Sequence, residues 1–436
     1  MDIGKSNFAI HYPEIEKAIN TCSFISFDAE FSGLDTYNTQ EELSSDENES
    51  IYYNMKKRMG DYKIIQIGLS VFHQIPVKPI QYQAKVYNFY IFPAVTDQRE
   101  ASSKFVCHPS AINFLCNEGF DFNKLFYDGI PYLTTEEEAK YKESKMRIMD
   151  NKRDLADIDE RGKAFMKNKK EEIVKFLEGS ELELPITCPN NYFRILIYQN
   201  ISAEYSTSLM AKGTDSGVLI SRFNKKEYDR SQKKKLNKIE REIKEKVGFR
   251  KVIDCMIKSK KPLIGHNMFL DICHLLKQFV ITPLPDSYKD FLTVLREKFP
   301  VIYDTKFLFD SAFNLNHNET NDSSLLTVRT ITSKTPYPKV KIKFYEEHNK
   351  YLMGDGSQHH EAGYDAFVTG EVFLTILAKA GNYLMDTLKY YCSILVANEN
   401  KKYKKYDWDY LYKSTASQEN KNRLHISRGS KRFIAL

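Results

Sequence analysis

The segment Ser23–Phe31, SFISFDAEF, constrains the fold more than any other. Phe24, Ile25 and Phe27 are apolar and β-favouring, and they require a buried strand. Asp28 and Glu30 stand at the end of that strand, two positions apart. A period of two turns both carboxyl groups to one face, while Ala29 faces the other way and packs. Phe24, Ile25, Phe27 and Phe31 surround the acids, so at least one charge lies against apolar surface. That is costly unless a metal ion or another cation compensates. Paired acids on an exposed strand are also ordinary surface residues, and this segment by itself leaves the two readings open.

More strands follow. Tyr62–Val71 (YKIIQIGLSV) and Tyr87–Phe92 (YNFYIF, stopped by Pro93) read as neighbours in one sheet. Pro262–Gly265 is a buried strand leaving at a glycine, and Val301–Asp304 is another short one. Helical patterns lie at Ser110–Leu115, Phe249–Lys258, Leu270–Phe279 and Tyr364–Ala378. In the third, Leu270, Cys273, Leu276 and Phe279 form the core-facing stripe. Together these predict a mixed α/β sheet with helices on both faces and a site at the strand ends. Between Thr134 and Lys246 the texture changes to dense charge, with an amphipathic helix at Lys163–Leu177. The chain has 436 residues, more than one ordinary core needs. This stretch therefore reads as a small inserted α/β domain, the alternative being a charged helical hairpin that binds nothing. The expected division is 1–133 and 247–390 for the main domain, 134–246 for the insertion, and 391–436 for a tail. That tail packs on the main domain or leads toward a membrane anchor. Asn314–His359 is polar and reads as a long irregular connection.

Three residues far along the chain join Asp28 and Glu30. Asp271 follows the strand and turn PLIGHN and falls near the first turn of the next helix. An acid there commonly does no more than complement the helix dipole. The sharper reading has it reach across the strand ends toward Asp28, with Asn267 at the same mouth, able to hydrogen-bond a phosphate or sugar. Asp365 opens the apolar helix, and His360 precedes it by five residues. Hard divalent ions want oxygen ligands, and Mg²⁺ keeps part of its water shell. Two such ions about 3.5–4 Å apart hydrolyse phosphodiesters, one activating water and the other stabilising the leaving oxygen. Imidazole is the side chain best suited to take that water's proton near neutrality. The seven Cys are scattered without a CxxC pair, which argues against a thiolate zinc site or a disulfide framework and predicts reduced thiols.

The formal net charge of +6 points only weakly to nucleic acid. Aromatics are plentiful, 28 Tyr and 28 Phe, and rings interleaved with basic side chains suit stacking of unpaired bases. Most of those rings fill the core. The N-terminus carries no apolar signal-peptide run, and no window is long and apolar enough to span a bilayer.

The motifs FDAEFSGL, QIGLSVF, FDFNKLFYDGIPYL, PLIGHNMFLDICHLLKQF, FPVIYDTK and HEAGYDAF occur in order between Phe27 and Phe367. They resemble the histidine-bearing DEDD exonucleases, and most closely the poly(A)-specific ribonuclease (PARN) family. The resemblance implies a ribonuclease H-like core and a 3′→5′ exoribonuclease that releases 5′-nucleoside monophosphates. It implies that Asp28, Glu30, Asp271 and Asp365 bind two Mg²⁺ ions, with Mn²⁺ able to substitute, and that His360 is the general base. Residues 134–246 occupy the place of the family's nucleic-acid-binding insertion, without a clean copy of its arginine and histidine motif. LPDSYKDF, FPVIYDTK and an end at Leu436 with no RNA-recognition domain resemble the PARN-like-domain-containing branch, which trims PIWI-interacting RNA precursors. That branch implies a PIWI-bound single-stranded RNA 3′ end as substrate and a Tudor-domain scaffold as partner. It also implies a cytoplasmic enzyme on the mitochondrial outer surface, held by an anchor absent from this chain. A poly(A) mRNA deadenylase is the alternative. A DNA 3′-exonuclease and a catalytically inactive RNA-binding scaffold are the others, and a homodimer, as in PARN, stays open. Phe31, Leu34 and Asn267 are candidates for lining a 2′-hydroxyl pocket, and Lys233, Lys234 and Lys235 for holding the RNA backbone.

Overall fold

The computed structural model of the chain describes residues 1–34, 47–75, 81–94, 104–149, 158–312, 322–351, 360–392, 408–426 and 433–436. They form two units, one of residues 1–135 with 247–436, the other of residues 136–246. The first unit opens with β1 (Asp2–Ile3), α1 (Lys5–Thr21), β2 (Phe24–Phe31), α2 (Glu47–Met59), β3 (Ile64–Ile75), β4 (Gln81–Tyr90), α3 (Pro109–Asn117) and α4 (Phe122–Asp128). Next come α5 (Thr135–Met149), α6 (Glu160–Glu178), β5 (Glu183–Thr187), α7 (Asn191–Glu204), β6 (Leu209–Gly213), β7 (Gly217–Arg222) and α8 (Lys225–Val247). The first unit resumes with α9 (Arg250–Ser259), β8 (Leu263–Gly265), α10 (Phe269–Leu275), α11 (Tyr288–Lys298), β9 (Ile302–Asp304), α12 (Thr305–Phe307), α13 (Leu325–Thr332) and β10 (Lys341–Phe344). It ends with α14 (Ala362–Cys392), α15 (Trp408–Lys413), α16 (Thr415–Asn420), β11 (Arg423–His425) and β12 (Phe433–Ala435).

The sheet of the first unit runs β1-β4-β3-β2-β8-β9, with β10 also beside β4. β2, β3 and β4 form an antiparallel meander, whereas β8 lies parallel to β2 and β9 parallel to β8. Strand alternation sorts β2 cleanly. Ile25, Phe27 and Ala29 pack with Ile15 and Ile19 of α1, Val252 and Ile253 of α9 and Ile272 of α10. Phe24 packs on the opposite face with Val368, Val372 and Phe373 of α14. Ser26, on that same face, donates its hydroxyl to the Ala366 carbonyl at 2.6 Å. Asp28 and Glu30 continue the even-numbered register and so belong to the α14 face. A mixed sheet covered by helices on both faces is the ribonuclease H-like arrangement that the motifs implied.

Several elements differ from the sequence reading. β2 continues through Phe31, so both acids sit within the strand. The helix expected to reach Phe279 ends at Leu275 and passes into a π-helical turn over Leu276–Val280, and Leu270 is only half-buried. Within the stretch expected to be irregular lie α13, β10 and a 3₁₀ turn at Glu346–Tyr351. β10 pairs in parallel with β4 from Lys341 beside Gln81 to Phe344 beside Ala84. Its four residues alternate between exposed and half-buried, too weak a pattern to announce an edge strand. In the tail, the Asn422 backbone N–H donates to Ile302 at 2.8 Å, and its side-chain oxygen accepts from the Ile302 N–H at 2.9 Å. That pair fixes the β11–β12 hairpin to β9.

The second unit is a three-stranded antiparallel sheet, β5-β7-β6, rather than a plain helical hairpin. Ile173 and Phe176 of α6, Leu196 and Ile197 of α7, and Val218 and Ile220 of β7 form its core.

Candidate metal centre

Carboxyl oxygens of Asp28 and Glu30 on β2 and of Asp365 in the first turn of α14 all lie within 4.8 Å of one another. Asp271, in the first turn of α10, acts electrostatically on both β2 acids. Burial, and then the charges of Asp365 and Asp271, hold Asp28 and Glu30 well above the usual carboxylate range. Burial likewise pushes Asp271 up to about 7 and Asp365 up to about 6, the latter partly relieved by His360. Acids gathered this closely resist ionising together. An all-oxygen donor set with that mutual repulsion fits a hard divalent cation such as Mg²⁺ or Mn²⁺.

Close packing brings Asp365 to the β2 acids. The Gln66 side-chain oxygen on β3 accepts from the Ala362 N–H at 3.0 Å, and that of Asn88 on β4 accepts from the Gly363 N–H at 3.1 Å. Gly68 pairs with Asp28 across the sheet, and a Cβ there would collide with the Ala362 carbonyl. The glycine lets the start of α14 lie flush against the sheet.

A second lock holds the chain leading to Asp271. Asn267 turns the chain in the left-handed region, with φ 57°. The buried Asp304 carboxylate accepts from five backbone N–H groups, those of Asn267, Met268, Lys306, Phe307 and His425, at 3.0–3.3 Å. In the sequence Asp304 reads only as the end of a strand. Its role rests on donors from three separate segments, which local pattern does not reveal.

His360 is exposed, with φ 67°, and its backbone N–H donates to the Asp365 carboxylate at 3.1 Å. Its ring meets Phe114 of α3 edge-on, centroids 4.9 Å apart. Phe114 is 44% exposed, and nothing in the local pattern of its short helix signals this contact. The other candidates are placed less uniformly. Phe31 is half-buried against His274, ring centroids 4.7 Å apart, and Leu34 is half-buried three residues on. Asn267, the candidate for a phosphate or sugar contact, lies beside the buried Asp304. Its backbone serves Asp304, and its side-chain oxygen lies 3.2 Å from the His425 ring. Lys233, Lys234 and Lys235 are exposed on α8, in the second unit.

Residues 3–373 match the model of the CAF1 family ribonucleases. The poly(A)-specific ribonuclease PARN of Xenopus laevis is 31% identical over 411 residues, covering 89% of this chain and 64% of the frog protein. The pre-piRNA 3′-exonuclease trimmer of Bombyx mori is 30% identical over 385 residues, covering 86% of this chain and 71% of the silkworm protein. The poly(A)-specific ribonuclease PNLDC1 of Mus musculus is 27% identical over 390 residues, with 86% and 71% covered. The chain thus spans just under two thirds of the length of the PARN relative. Likeness to PARN is at least as strong as likeness to the trimmer, so the branch expected from the sequence is not the favoured one.

Proposed function

This chain belongs to the CAF1 ribonuclease family, and from that premise we propose that it is a divalent-metal-dependent 3′→5′ exoribonuclease acting on poly(A) tails. The observation that carries the chemistry is the convergence of Asp28, Glu30 and Asp365 within 4.8 Å, with Asp271 acting on the same group. These four carboxylates would hold two ions. Bound there, divalent ions neutralise the scissile phosphate and make a water easier to deprotonate. His360, exposed at the entry to α14 and tied to Asp365 through its backbone, takes the proton from the attacking water and passes it to solvent. Phe31 and Leu34, which follow Glu30 closely in the chain, pack against the terminal nucleotide. The poly(A) substrate is supported by the identity with PARN across 89% of the chain.

Trimming of precursor small RNAs is the second reading, favoured by the larger share of the silkworm trimmer that the chain covers. It brings with it a PIWI-bound substrate, a Tudor-domain scaffold and a membrane-surface location. Among the described residues no helix is long and apolar enough to cross a membrane.

The test uses 5′-labelled single-stranded RNAs, A-tailed or of mixed sequence, with plain or 2′-O-methylated 3′ ends, and a matched DNA. A ladder shortening from the 3′ end with Mg²⁺, stopped by chelator and absent in Asp28→Ala, is the expected result. Faster loss of the A-tail supports deadenylation. Equal rates on mixed RNA with resistance of the methylated end move the reading to trimming. No shortening of any substrate by the wild-type chain sinks the nuclease reading.

A further inference from the structure

Glu361 stands between His360 and the first residue of α14, and its side chain bonds to groups outside the acidic cluster. One of its oxygens accepts three hydrogen bonds, from Asn88 Nδ2 at 2.9 Å, Lys350 Nζ at 2.5 Å and the Tyr351 hydroxyl at 3.0 Å. Its backbone carbonyl accepts from the N–H groups of Tyr364 and Asp365, at 2.8 and 3.1 Å, closing the first turn of the helix. Asn88 grips the same place twice, since its side-chain oxygen also takes the Gly363 N–H. Lys350 continues the chain of charges to Asp2 at 3.2 Å, and Asp2 to Lys124 at 2.8 Å. β4 and the 3₁₀ turn therefore meet on one carboxylate next to His360, and β1 and α4 join them one step away through Asp2. The group is half-buried, with Glu361 20% and Lys350 39% exposed in their side chains. Charge-assisted bonds of this kind fix direction better than apolar packing does.

We infer that Glu361 is a positioning residue, holding the His360–Asp365 segment in register with the β2 acids through its clamp with Asn88, Lys350 and Tyr351. The inference rests on the exonuclease reading for its kinetic consequence but not for its structural one. Outer partners that orient ligands at metal sites act on rate or ion affinity by roughly 10–100-fold when removed. Holding Glu361 in place sets the left-handed turn at His360, and with it the N–H donated to Asp365. A clamp that only stabilised α14 would alter the folded fraction and leave turnover per folded molecule alone.

The experiment compares wild type, Glu361→Ala, Glu361→Gln and Lys350→Ala with the Glu361→Ala/Lys350→Ala pair, using active-site-titrated enzyme on A-tailed RNA. Glu361→Ala should lower kcat roughly 10–100-fold with KM within about twofold. Glu361→Gln, which keeps an acceptor oxygen, should recover most of the loss, and the double variant should be no worse than Glu361→Ala. Wild-type kcat in Glu361→Ala, or Glu361→Gln as impaired as Glu361→Ala, overturns the inference. Amide hydrogen exchange over residues 360–365 supplies a readout independent of turnover, with faster exchange expected in Glu361→Ala under matched folding conditions. A wild-type chain inactive on every RNA removes the exonuclease reading. Unchanged exchange removes the clamp, whatever the activity.

Discussion

Two places in the first unit draw carboxylates out of water, Asp304 fully and Asp28 and Glu30 in part, and they solve the problem of charge in opposite ways. Asp304 is surrounded by backbone N–H groups, so burial raises its pKa while those donors pull it back. Asp28 and Glu30 are pushed up by burial and then further by other acids. One site is satisfied by the protein itself. The other is satisfied only when something positive arrives. A buried acid whose partners are donors is architecture, whereas half-buried acids whose neighbours are acids mark a candidate site for a cation.

Substitution should break the comparison along this line. The largest effect is expected from Asp28→Ala, which should lower exonuclease activity by roughly 10³-fold, the upper end for loss of one group stabilising charge at the reacting centre. The melting temperature of the chelator-treated protein should not fall, because the change relieves repulsion. Residual activity close to wild type in a gel assay of tail shortening would sink the metal-centre assignment. His360→Ala should follow at roughly 10²-fold, the low end for a general base, with divalent-ion binding retained in a thermal-shift titration. Loss of ion binding along with rate would make His360 a ligand instead.

Asp304→Ala should act mainly on stability. It leaves five N–H groups without their acceptor, and each orphaned buried donor costs roughly 1–3 kcal/mol. A loss of about 3 kcal/mol or more in chemical denaturation of the Mg²⁺-loaded protein is expected. Stability equal to wild type would show that the turn does not depend on it.

The smallest effect sharpens the contrast through pH. Asp271 sits near 7 in the metal-free fold against an ordinary 3.8. The folded state therefore holds more protons than the unfolded one across that window, and metal-free stability falls as pH rises through it. Asp365, near 6, adds to the fall over a narrower range. In chelator, the melting temperature of wild type relative to Asp271→Asn should drop by a few degrees between about pH 5 and pH 7.5. Saturating Mg²⁺ should remove the difference. A gap independent of pH would mean that Asp271 is ionised throughout.

What could be read in the sequence follows the same division. Alternation along β2 is local, so residues 24–31 disclosed their own two faces. Asp365 opens α14 and Asp271 stands in the first turn of α10, positions visible from the apolar stripes that follow them. The supports were not legible, because their partners are remote. Gln66 meets Ala362 and Asn88 meets Gly363 across nearly 300 positions of chain, and neither amide carries any local sign of its partner. Asn267 has partners just as remote: its backbone N–H meets Asp304 of the sheet, and its side-chain oxygen lies beside the His425 ring of the tail.

Gly68 touches none of the acids by a side chain of its own, yet it governs the gap between two layers. The thickness of one missing methyl group lets α14 descend far enough for Asp365 to join a strand it does not belong to. The spacing of the acids is thereby set by the neighbouring strand, on the face that α14 covers, as a shim sets the spacing of a jaw. A methyl at this position would press on the Ala362 carbonyl, and any widening of the oxygen set that followed would disfavour Mg²⁺ with its short bonds before Ca²⁺ with its long ones.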